Sequence, residues 1–124
     1  MSATVMVVDD DQAILELMRL LLEKMGYIPV TADDGLKALE MVKGNPPDII
    51  LLDVMMTPIN GWEFLARLRN EIGMRKTPVI FFTAFPFIEE KIDTSVDSRL
   101  GLLQKPVSFK ELKDTLATYL SMKD

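Results

Sequence analysis

The chain has no cysteine and no histidine. The first absence excludes disulfide frameworks, zinc fingers and redox dithiols. The second removes the commonest general base and the commonest nitrogen ligand for metals, which makes soft transition-metal sites unexpected. Net basic charge is missing too. The formal charge is −5, which argues against direct nucleic-acid binding and leaves only a local basic patch open. The longest apolar run, at about 79–88, is too short for a bilayer and contains Pro86. No basic stretch leads into an apolar one at residues 1–4, so no secretory signal is read and a cytoplasmic location is expected.

What is present suits one soluble domain covering residues 1–124. At 48% hydrophobic and 27% charged residues, a chain of this length can bury a core without metal or disulfide staples. Short apolar runs alternate with amphipathic segments, the pattern of a parallel α/β sheet. Strands are read at 5–8, 27–31, 48–52, 79–82 and 100–103. Pro29 lies inside the second and cannot donate a ladder hydrogen bond, which places that strand at a sheet edge. A first helix carries Ile14, Leu15, Met18, Leu21, Leu22 and Met25 at helical spacing, with Asp11 as cap and Gly26 as stop. Further helices are read at 36–42 and 62–71, and a last one follows the capping box Ser108-x-x-Glu111. A fourth helix within 85–99 has a weak pattern, rich in Thr, Ser and Asp in its second half.

Four of the five strands end in a residue with useful chemistry: Asp9 and Asp10, Asp53, Thr83 and Lys105. In a doubly wound parallel sheet these fall along one edge, where ligands bind at the reversal of strand order. With the second strand at the edge, the reversal lies between strands one and three, which carry the aspartates. Clustered carboxylates repel, and a hard cation relieves the repulsion; magnesium needs only two or three of them. A carboxylate also attacks phosphorus to give an acyl phosphate. The charge then developing needs a metal, an ammonium and a hydroxyl, and Lys105 and Thr83 are candidates for the last two. Taken singly, each feature has a plainer account. An acidic triplet is a loop or a helix cap, and a lone lysine is a solvated surface charge.

Together, V-V-D-D-D at 7–11, L-L-D-V-M-M at 51–56, N-G at 60–61, T-A at 83–84 and K-P at 105–106 make the sequence resemble the receiver domain of two-component response regulators, including stand-alone chemotaxis regulators. The likeness runs from about Val5 to Leu120. It implies a flavodoxin-like fold with strand order 2-1-3-4-5 and five helices. It also implies Asp53 as phosphoacceptor, with Mg2+ bound by Asp10 directly, by Asp9 through water, by Asp53 and by the Met55 backbone carbonyl. Thr83 and Lys105 would contact the phosphoryl group, and the Lys105–Pro106 peptide would be cis. The donor would be a phosphohistidine on a sensor histidine kinase or histidine phosphotransfer protein. The domain would catalyse only its own phosphorylation and dephosphorylation. A homodimer or target would use the face of the fourth helix, fifth strand and last helix; no membrane partner is expected.

Three positions depart from the family pattern. Thr57 stands where proline is usual, with Pro58 next, so a local change in that loop is expected. Leu102 replaces an aromatic residue, and Ser98-Arg99 replaces a Gly-Ala pair. Met55 and Phe85 flank the site and are expected to hinder hydrolysis of the acyl phosphate. Two rival readings stand beside this one. A dehalogenase-like phosphatase would use Asp9-x-Asp11, though Gln12-Ala13 continues its motif poorly. A pseudo-receiver would keep the fold without phosphorylation, which the complete acid, Thr and Lys set argues against.

Overall fold

The buried apolar runs form the strands of one parallel sheet in a computed structural model that describes residues 2–84 and 97–122. The strands are β1 (Thr4–Val8), β2 (Ile28–Ala32), β3 (Ile49–Leu52), β4 (Val79–Thr83) and β5 (Leu100–Gln104), in the order β2-β1-β3-β4-β5. The helices are α1 (Gln12–Lys24), α2 (Gly35–Gly44), α3 (Gly61–Ala66) and α4 (Phe109–Leu120). The expected fourth helix of five falls largely on residues 85–96, outside the described residues.

Successive strand side chains point to opposite faces, so each central strand feeds two cores. On one face Met6, Val8, Ile50, Leu52 and Phe81 meet Ala38 and Val42 of α2 and Phe64 of α3. On the other, Val5, Val7, Ile49, Leu51 and Phe82 meet Leu15 and Met18 of α1 and Leu112 and Leu116 of α4. Burying one such Leu or Phe side chain stabilises the fold by about 2 kcal/mol. The helix starts follow local chemistry. Asp11, Asp34, Asn60 and Ser108 each accept a hydrogen bond from a backbone N–H of the first turn. Past the end of α1, Gly26 takes φ of +92°, a conformation that strongly favours glycine.

The expected edge position of the second strand is met. The Ile28 N–H donates to the Ala3 carbonyl and the Asp9 N–H to the Ala32 carbonyl, so residues 28, 30 and 32 face β1. Pro29 therefore presents its missing donor outward, away from the sheet. One element differs from expectation. The predicted helix at 62–71 is helical as α3 only to Ala66, and then widens into a π turn, Arg67–Glu71, closed by the Ile72 N–H on the Arg67 carbonyl at 2.9 Å. Within that turn Arg69 is buried. Its guanidinium donates to the Met74 and Thr77 carbonyls and to the Asp97 carboxylate. These bonds draw the chain inward at that point, and hydrophobic periodicity carries no trace of them.

Candidate functional site

The chain leaves β1 toward β2 on one side and leaves β3 toward β4 on the other, opening a crevice at the C-terminal ends of β1 and β3. The sheet ladder continues past those ends and fixes the residues that follow. The Asp53 N–H donates to the Val8 carbonyl at 3.0 Å, and the Lys105 N–H to the Thr83 carbonyl at 2.9 Å. Each strand therefore delivers its polar residue to the same place.

Carboxylate oxygens of Asp9, Asp10 and Asp53 lie within 4.8 Å of one another. Asp9 and Asp53 are buried, while Asp10 is exposed. Both oxygens of Asp9 are engaged: Oδ1 accepts from the Asp11 N–H at 2.9 Å and Oδ2 from Lys105 Nζ at 2.6 Å. The Asp10 carboxylate accepts no hydrogen bond among the described residues. Lys105 Nζ stands 3.6 Å from Asp53 Oδ2. Asp53 also accepts from the Met55 N–H at 3.3 Å, and the Thr83 side chain stands close enough to act on its carboxyl. Burial pushes the Asp53 carboxyl above its ordinary pKa and the neighbouring Asp9 charge adds to this; Lys105, the Met55 N–H and Thr83 pull it back. Three carboxylates, one of them without a hydrogen-bond partner among the described residues, fit a hard divalent cation.

All five sequence-predicted side chains come together, and the Lys105–Pro106 peptide is cis as expected. The Thr57–Pro58 peptide is cis as well. The neighbouring turn keeps Asn60 as the α3 cap and closes through the Gly61 N–H on the Val54 carbonyl at 2.9 Å. A Cβ at Gly61 would stand 2.8 Å from both the Asp53 carbonyl oxygen and Val54 Cα, so this glycine is what lets α3 start against the site. Leu102 is half-buried beside the first core. Met55 is 63% exposed, standing open at the rim, whereas Phe85 lies outside the described residues. Asp11 is absent from the carboxylate cluster and uses Oδ1 to cap α1 through the Ala13 N–H, which disfavours a catalytic Asp9-x-Asp11 pair. Sequence reasoning missed Phe82, whose ring lies beneath Lys105 Nζ at 5.2 Å from the centroid. Its place in a wholly apolar run marked it only as core.

The family model for the response regulator receiver domain matches residues 5–117. The polar-differentiation response regulator DivK of Brucella ovis is 30% identical over 120 residues, which covers 97% of this chain and 98% of that protein. The structure of the chemotaxis protein CheY4 of Vibrio cholerae superposes with a TM-score of 0.85 at 30% identity, covering 96% of this chain and 99% of that one. The receiver domain of the Francisella response regulator 1452 gives a TM-score of 0.84 at 31% identity, with coverage of 96% and 97%.

Proposed function

The chain belongs to the response regulator receiver domain family, phosphoacceptor domains of two-component signalling, and from that premise we propose that Asp53 is the residue phosphorylated. The observation that carries the assignment is the convergence of four strand ends. Asp53 receives a hydrogen bond from the Met55 N–H, has the Thr83 side chain beside it, stands 3.6 Å from the Lys105 ammonium, and shares its surroundings with Asp9 and Asp10.

The donor is a phosphohistidine on a sensor histidine kinase or phosphotransfer protein, since this chain has no histidine to carry one. An Asp53 Oδ attacks phosphorus in line with the N–P bond. An O–P bond forms, the N–P bond breaks, and its electron pair returns to the imidazole nitrogen. Hydrolysis of the acyl phosphate restores the carboxylate and releases inorganic phosphate. Both steps occur on the domain's own side chain, so it turns over no separate substrate and is not an enzyme in that sense.

Lys105 and the Thr83 hydroxyl supply positive charge and a donor to the phosphoryl oxygens. Magnesium, when bound, would offset the charge of phosphoryl and carboxylate oxygens alike. Asp10 and Asp53 would hold it directly, with the Met55 carbonyl as a further ligand. Asp9 would act through water, which agrees with its two oxygens being engaged already. The output surface is read as the face of β5 and α4 with the segment preceding β5, docking a target or a second copy.

Incubation with a small-molecule phosphodonor and magnesium should label the protein with one phosphoryl group, and Asp53→Asn should abolish the label. Persistent labelling of that variant would falsify the assignment.

A further inference from the structure

Lys105 follows the edge strand β5, yet its ammonium serves β1 and β3, with β4 in between. Two strand spacings cover about 9.6 Å, so the lysine stem must cross the end of β4. Phe82, next to last in β4, is 4% exposed and lies under that crossing. The ammonium is 5.2 Å from the ring centroid, within the range of a cation–π contact.

An ammonium has three N–H donors and needs a place for each when little water reaches it. The Lys105 side chain is 17% exposed. Asp9 Oδ2 takes one donor at 2.6 Å, and Asp53 Oδ2 forms a longer ion pair at 3.6 Å. The face of Phe82 receives the remaining positive charge without offering a competing oxygen. An aliphatic side chain there would fill space but leave that charge to seek water, and the flexible stem could then turn outward. The ring also belongs to the core shared with Leu15, Met18 and Leu112, so it is a fixed support.

We propose that Phe82 is a positioning residue for phosphoryl transfer, holding the Lys105 ammonium over the site through its π face. The inference rests on Asp53 being the phosphoacceptor, and it is tested so that the two can fail separately.

The contact itself is read without any phosphodonor. In the native protein the ε-methylene protons of Lys105 should show an upfield ring-current shift by NMR, and Phe82→Leu should return them to ordinary lysine positions. Unshifted protons overturn the inference whatever Asp53 does. The role is then read by replacing Phe82 with mono-, di- and trifluorinated phenylalanine, which weakens the π face while nearly keeping the volume. The rate of labelling by a small-molecule phosphodonor should fall stepwise, by about tenfold over the series, with the thermal midpoint nearly constant. A flat rate, or a rate that falls only in step with the midpoint, reduces Phe82 to core packing. Loss of the ring-current shift in Phe82→Leu with continued labelling of Asp53→Asn would instead leave the contact standing and remove the phosphoacceptor assignment.

Discussion

At the scale of single residues, the carboxylate of Asp53 works against the fold that holds it. Burial and Asp9 raise its pKa, so the native state keeps this proton to a higher pH than the unfolded chain does. Between the unfolded and the folded pKa the unfolded state binds fewer protons, and stability falls as pH rises through that window. Asp53→Asn should therefore raise the thermal midpoint at pH 7 in metal-free buffer. The gain should shrink as pH falls through the folded pKa and be gone below about 3.9, the ordinary aspartate value. Melting curves at several pH values check this, and equal midpoints for both proteins at pH 7 would count against it. Residues of this kind were legible in the sequence because chemistry-bearing types recur at strand ends: Asp9, Asp10, Asp53, Thr83 and Lys105. Phe82 was not legible. A strand-interior phenylalanine reads as core, and only the path of the Lys105 stem across β4 gives it another use.

Among elements, the end of α3 is held by polar bonds as well as by the apolar packing of Leu68. Arg69 joins the π turn to the loop carbonyls of Met74 and Thr77 and, across the fold, to Asp97 ahead of β5. The Asp97 carboxylate also accepts the Arg99 N–H at 3.1 Å, shaping the entry to β5. The pair is largely withdrawn from solvent, with side chains 9% and 21% exposed, so water replaces it poorly. Asp97→Ala should lower unfolding stability by about 2 kcal/mol, the scale of a lost charged hydrogen-bond partner. Lys110→Ala, which removes an exposed pair with Asp114, should leave it nearly unchanged. Urea unfolding distinguishes the two, and equal effects would sink the argument. Helix starts were readable wherever a cap signal existed, as at Asp11 and Ser108. The π turn was not, because Phe64, Leu65 and Leu68 continue the apolar stripe through it.

For the whole molecule, one proline marked an edge of the sheet, while the full strand order came only from the family resemblance. Pro29 placed the second strand at the edge, and with it the reversal between β1 and β3 and the site at their ends. What sequence could not supply was depth: which carboxylates are buried, and which ammonium stands between them. The same proline limits how copies of the protein meet. Residues 29 and 31 face away from the sheet, so on this side only Thr31 keeps an outward donor. Ile28, half exposed on the same strand, would otherwise make a sticky margin. Pro29→Thr should increase concentration-dependent self-association in sedimentation experiments, and an unaltered distribution would argue that the margin is guarded by something else. With one of its two outward donors missing, the β2 margin pairs poorly with a further strand, so the growth of a continuous sheet from copy to copy is disfavoured in that direction.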